Sequence, residues 1–314
     1  EQHEHGEDFL NRKVAQLRWL LADIPNAGFE LVVVDDGCPE KSGEVVERVA
    51  KENGIEDHVR VLFLRDAIDD GHPAVKGLED TDQSRKGGSI ELGMWEAAAV
   101  DRGPGHVVVF TDADLSTHLG QAGLLMGEIL NQGFDAAIGS RREPHSVVIK
   151  QGVRNTRGKL FIYLWKRIIG ILPDVVDTQC GFKAFKAETV RAIVPDLMEK
   201  KFAFDIELLI KARLLRADAL TRVPIAWIDS EALSTTTDIQ PYLPMLQSMV
   251  AMYRAYLPAE ETADDFAAFI DALDETAWNR LVGNIPEAIT SREPADFGGF
   301  SDVTVEALRR AAGL

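Results

Sequence analysis

A chain of 314 residues, 46% of them apolar, with 25 glycines, 13 prolines and 2 cysteines, is long enough for one large domain or two smaller ones and excludes fibrous and disordered classes. Its 34 basic and 51 acidic side chains leave a net charge of −17, which repels polyanions and excludes a nucleic-acid partner. Cys38 and Cys180 are too few for a disulfide framework and point to buried thiols in a reducing, cytoplasmic setting.

The N-terminal EQHEHGEDFLNRK has no apolar signal core and opens directly on a helical pattern of Phe9, Leu10, Val14, Leu17, Leu20 and Leu21. So abrupt a start suggests sequence upstream of it. FELVVVDDG (29–37) is a continuous apolar run ending in two carboxylates, the signature of a strand buried on both faces. A helix is predicted over 42–53 with Ser42 as N-cap, then a strand over 59–66 and a long polar loop ending at SRKGG (84–88).

A helix over about 89–101, a strand over 106–114, a helix over about 119–132 and a strand over 136–142 continue the alternation. The period is βαβα, which favours a doubly wound, mostly parallel α/β sheet with ligands at the carboxyl ends of its strands. Helices over 152–172 and 203–216 flank a turn and short strand over 177–186, and the last strand is predicted over 221–229. Beyond about 240 the pattern is helical: residues 241–314 hold 5 basic and 12 acidic residues. The expected organisation is an α/β domain over 1–240 and an acidic helical extension over 241–314.

No stretch reaches the roughly 20 apolar residues that span a bilayer. The apolar run LFIYLW (160–165) is expected to pack as core, with a membrane-surface helix as the alternative.

The chemistry concentrates at DADLS (112–116), two aspartates one residue apart after an apolar strand. Alternate positions of extended chain project to one side, so Asp112 and Asp114 suit one hard cation that in turn holds a diphosphate. Asp35 and Asp36 end an earlier strand; one reads as a turn or cap, the other as an acceptor from a nucleotide base or ribose. Lys86 with Gly87 and Gly88 forms a cationic loop whose backbone N–H groups suit phosphate. Residues 139–186 hold ten basic and three acidic residues, +7 within a chain of −17. Lys150, Lys166, Arg167 and Lys186 read as a solvated face, whereas Arg141 and Arg154 are placed to hold an anion in a fork.

VVVDDG, SRKGGSIELGM, DADLS, GSRR, Arg154, DTQCGFKAF, FAFDIELL and VPIAW, in this order, resemble the family 2 glycosyltransferases of the GT-A fold. The branch most similar is that of the dolichyl-phosphate β-glucosyltransferases and polyprenyl-phosphate glycosyltransferases, over about residues 1–255. The resemblance implies an inverting hexosyltransferase with a nucleotide-diphosphate sugar as donor, UDP-glucose first, and Mg²⁺ or Mn²⁺ on Asp112 and Asp114. It implies that Asp35 and Asp36 meet the nucleoside, Lys86 the diphosphate and Asp112 the ribose, and that Arg141 and Arg154 hold an acceptor phosphate. Asp205, with Glu207 nearby, falls where hydroxyl-using relatives place a general base; a phosphate acceptor needs none.

The sequence departs from this pattern in two places. The family's first strand, ending in Pro-x-x-Asn-Glu, has no counterpart, and ALSTTT (232–237) stands where lipid-using relatives carry a Ser-Lys pair. The acceptor therefore stays open between polyprenyl phosphate and a small soluble compound, as do peripheral membrane contact and a homo-oligomer. Two other functions are weighed, a sugar-phosphate nucleotidyltransferase and a non-catalytic sugar-nucleotide-binding protein.

Overall fold

A computed structural model describes residues 8–149, 156–228, 241–297 and 302–314. The chain divides into two compact units, Glu1–Gln151 with Asp177–Thr235, and Gly152–Val176 with Thr236–Leu314. The second unit thus takes in 152–176 as well as the C-terminal helices.

The first unit is α/β. Helix α1 (Asp8–Leu21) buries Leu10 and Val14 in a cluster with Val49, Ala50 and Ile55. Strand β1 (Leu31–Asp35) is joined through α2 (Ser42–Glu52) to β2 (Val59–Phe63), and the two strands pair in parallel with Leu31 opposite Val59. Helix α3 (Leu64–Asp69) follows β2 directly, so part of the predicted loop is helical. Next come α4 (Gly87–Ala99), β3 (Val107–Thr111), α5 (Ala122–Gln132), β4 (Ala136–Ser140) and β5 (Val147–Ile149).

Helix α6 (Thr156–Ile168) belongs to the second unit; the chain then returns through β6 (Phe182–Lys186), α7 (Ala187–Ile193), α8 (Phe204–Leu215), β7 (Leu220–Pro224) and β8 (Ala226–Ile228). The largest sheet has the order β3-β6-β4-β7. Strand β4 runs parallel to β7, and β6 lies antiparallel between β3 and β4, the departure from an all-parallel sheet. The single strand predicted over 221–229 is two: after Pro224, which has no N–H to donate, the chain leaves β4 and pairs with β5 instead.

The second unit is helical. Every residue of Leu160 to Trp165 is at most 5% exposed, so this stretch of α6 is core on all sides, as a run apolar all round must be. It packs with α9 (Tyr242–Tyr256), α10 (Glu261–Asp271) and α12 (Glu287–Thr290); α11 (Glu275–Gly283) and α13 (Val305–Ala312) complete the unit. Tyr163 meets Phe297 edge-on at 5.6 Å and donates its hydroxyl to the Val303 carbonyl at 2.9 Å. Lys166 and Arg167 are not a solvated face: Lys166 donates to the Pro173 carbonyl at 2.6 Å and Arg167 to that of Phe297. Among the described residues no helix is long and apolar enough to cross a membrane.

Candidate active site

Strand β3 delivers Asp112 just past its last residue, at the edge where β6 begins. The Asp112 N–H donates to the Gly181 carbonyl at 3.0 Å, and a Cβ on Gly181 would lie 2.3 Å from the Asp112 carboxylate. A side chain there would displace the Asp112 carboxylate. Asp112 Oδ1 accepts from Lys86 Nζ, and its carbonyl accepts from Lys13 Nζ at 3.0 Å. Two residues on, Asp114 Oδ1 accepts from the Ser116 N–H at 2.9 Å and the Ser116 hydroxyl at 2.6 Å, which fixes the turn.

Both carboxylates act on both lysines. Burial lowers the Lys13 pKa to about 8 against the opposing pull of Asp114 and Asp112. Burial would lower Lys86 too, but the charges of Asp112, Asp205 and Asp114 outweigh it and the net shift is upward. Among the described residues Oδ2 of Asp112 and Asp114 accepts no hydrogen bond, and no group of three His, Cys, Asp or Glu side chains converges. Two carboxylates with room for outside oxygens suit a hard cation that takes its remaining ligands from a diphosphate and water.

Asp35 has a different task from the one expected. Its carboxylate accepts from the N–H groups of Gly37 (2.8 Å), Cys38 (3.0 Å) and Gly43 (2.6 Å) and from the Ser42 hydroxyl (3.0 Å). Burial would raise its pKa, but these four donors bring it below the usual value. Asp35 therefore closes the turn after β1 and caps α2, and Ser42, expected as the cap, is the first helical residue and hands its hydroxyl to Asp35. Asp36 beside it is exposed, its carboxyl raised by partial burial and by the Asp35 charge, and is the member of the pair open to a ligand. The KGG loop is likewise committed inward. Gly87 and Gly88 donate their N–H groups to the carbonyls of Lys201 and Lys200 at 3.1 and 3.0 Å, so the Lys86 side chain, not the backbone, faces the acidic pair.

Arg141, at the end of β4, is already forked. Its Nε and Nη2 donate to Asp177 Oδ2 and Oδ1 at 2.8 and 2.7 Å, its backbone N–H adds a third bond, and its guanidinium stacks on Trp227 at 5.2 Å. Burial would raise the Asp177 pKa, but the Arg141 charge and bonds bring it down to about 2. The bidentate edge expected to grip an anion is thus filled by a side chain. Arg154 lies outside the described residues, as do Lys150 and residues 232–237. Cys180 is buried, its thiol pushed up to about 12 by burial and by Asp177.

Asp205, expected as a base, is 2% exposed in the first turn of α8 and ion-paired with Lys183, itself fully buried. Burial pushes its pKa up against the pull of the Lys183 and Lys86 charges. Glu207 is buried too, accepting from the N–H groups of Met198 and Glu199, both at 2.8 Å.

Lys13, Asp177 and Lys183 are not singled out by sequence reasoning as functional. Lys13 sits three residues after Leu10 and four before Leu17, a cation on an apolar helical stripe; Lys183 interrupts the buried strand FKAFK. Both are marked by a charge where the pattern calls for an apolar side chain.

No protein-family model matches the chain. Glycosyltransferase AglD of Haloferax volcanii is 28% identical over 205 residues, 65% of this chain and 28% of that protein. The dolichyl-phosphate beta-glucosyltransferase of Drosophila melanogaster is 28% identical over 256 residues, 79% of this chain and 70% of that protein, and the human protein of the same name is 26% identical over 66% and 58%. The chain therefore spans from about a quarter to rather more than two thirds of the length of these relatives. Among solved structures, glucosyl-3-phosphoglycerate synthase of M. tuberculosis aligns at a TM-score of 0.49 and 18% identity over 80% of this chain and 78% of that one. Over these spans the chain is similar to the dolichyl-phosphate β-glucosyltransferases, at 26–28% identity.

Proposed function

We propose that the protein is a metal-dependent, inverting glycosyltransferase that moves a sugar, glucose first, from a uridine-diphosphate donor to a phosphate-bearing acceptor. The observation that carries the reading is the Asp112–Asp114 pair at the carboxyl end of β3, bracketed by Lys86 and Lys13. Mg²⁺ or Mn²⁺ held by the two carboxylates supplies charge neutralisation for a departing diphosphate. Lys86 supplies a second positive charge at the same place, and Asp36 supplies an exposed acceptor for the nucleoside. An acceptor phosphate oxygen attacks the anomeric carbon, the bond from that carbon to the diphosphate breaks, and the diphosphate leaves with the electron pair. A phosphate monoester is already ionised and needs no base, in keeping with the enclosure of Asp205.

A polyprenyl phosphate is the first acceptor to try. It is supported by the names of the relatives and by the basic excess of residues 139–186, in which Arg154 remains the candidate for the phosphate, since Arg141 is bound to Asp177.

The test is UDP-glucose turnover with and without Mn²⁺, first without acceptor and then with polyprenyl phosphate. Metal-dependent UDP release, stimulated by the acceptor and lost in Asp114→Ala by at least ~100-fold, is the expected result. Pyrophosphate-dependent formation of UTP would mark a nucleotidyltransferase, and tight binding without turnover a sugar-nucleotide-binding protein. Undiminished turnover in Asp114→Ala would overturn the assignment.

A further inference from the structure

Asp205 and Lys183 form an ion pair with side chains 3% and 0% exposed, beneath the acidic pair rather than within it. Lys183 is the second residue of β6, opposite Phe110 of β3 on one side and Ile138 of β4 on the other. Its ammonium also donates to the Cys180 carbonyl at 2.7 Å and lies 5.2 Å from the Phe110 ring centre. The next residue along from Cys180 is Gly181, whose carbonyl receives the Asp112 N–H. Asp205 in turn acts across space on Lys86, the lysine paired with Asp112.

We propose that Lys183 and Asp205 are positioning residues for the cation–diphosphate subsite. Lys183 holds the Cys180–Gly181 turn on which the Asp112 backbone rests, and Asp205 holds Lys183 while balancing the charge of Lys86. Negative and positive groups then alternate from the surface inward as Asp112, Lys86, Asp205 and Lys183. A buried ion pair is a weak source of stability, because desolvation offsets the attraction. Its effect here is the placement of one carboxylate, as outer partners orient the ligands of a metal. This assigns Asp205 a role that differs from a general base in what its loss would do. A missing base slows transfer and leaves donor binding intact, whereas a missing support weakens donor binding first.

The inference rests on the reading of Asp112 and Asp114 as cation ligands, and the control separates the two. Titration calorimetry of UDP in the presence of Mn²⁺ is run on the wild type, Asp205→Asn and the double variant Lys183→Met/Asp205→Leu, which removes both charges together and keeps an apolar core. If the wild type shows no Mn²⁺-dependent binding of UDP, the functional reading itself fails. With the wild type binding, the expected result is a loss of UDP affinity of roughly 10–100-fold in each variant that melts cooperatively. UDP-glucose hydrolysis without acceptor and transfer to polyprenyl phosphate fall in parallel, with a raised KM for UDP-glucose and an unchanged KM for the acceptor. The double variant decides if Asp205→Asn does not fold. Wild-type UDP affinity in the folded variants, with loss confined to kcat for transfer, would overturn the proposal and return Asp205 to the role of a base.

Discussion

Gly181 lacks a side chain because the Asp112 carboxylate occupies the space that one would fill, 2.3 Å from where a Cβ would stand. That contact is between the carboxylate proposed to hold the cation and a turn, so a methyl group added at Gly181 must push Asp112 away. Gly181→Ala is expected to weaken Mn²⁺-dependent UDP binding by about tenfold or more, measured by calorimetry on a variant that still melts cooperatively. Binding equal to the wild type would mean that Asp112 is not held by this contact. Lys13 makes the complementary approach from α1, its ammonium on the Asp112 carbonyl at 3.0 Å. The Asp112 main chain is thus fixed through both its N–H and its carbonyl, and its side chain through Lys86.

Elements meet in this site through carboxylates that serve the backbone. Asp35 ties the end of β1 to the start of α2 with three N–H groups and one hydroxyl. Asp177 ties the end of β4, through Arg141, to the segment leading into β6. The second tie makes a pH prediction. The Asp177 pKa is about 2 in the folded chain, against 3.8 for an unperturbed aspartate, so the ionised form is favoured by folding. Its contribution is full above about pH 4 and is lost as pH falls towards 2, a change of about 2 kcal/mol. Urea unfolding at about pH 5, above that window, and at about pH 2.5, well inside it, should show a smaller fall with acid in Asp177→Asn than in the wild type. An equal fall would show that Asp177 is not the titrating group.

At this scale the sequence is legible where period and burial agree. Helices α2, α5 and α8 lie within two or three residues of the predicted bounds because their apolar spacing is regular. LFIYLW reads as core and is core. The antiparallel sense of β6 is hidden, since a five-residue buried strand has the same pattern in either direction. The DADLS spacing marks Asp112 and Asp114 as candidates, and the structure sets both just past the end of β3. The partners that enclose Arg141 and Asp205, namely Asp177 and Lys183, lie 36 and 22 residues away, and local pattern says nothing about such contacts.

For the whole molecule, the net charge of −17 and the chemistry of phosphate are compatible because charge is sorted. Ten of the 34 basic residues fall within 139–186, where several are bound to carbonyls and carboxylates rather than to solvent. Around Asp112 and Asp114, Lys13 and Lys86 temper the acidity without removing it, which suits a site that receives a cation and a diphosphate together. Cation and nucleotide should therefore bind as a linked pair, each raising the affinity for the other.

The most direct test of this account is the melting temperature of the wild type and of Asp112→Ala with UDP, measured with Mn²⁺ and again with EDTA. A ligand that binds only the folded state must raise it. The account predicts a rise for the wild type with UDP and Mn²⁺ together, larger than the sum of the rises with each alone, abolished by EDTA and absent in Asp112→Ala. A rise with UDP that EDTA leaves unchanged, or one that survives in Asp112→Ala, would contradict it.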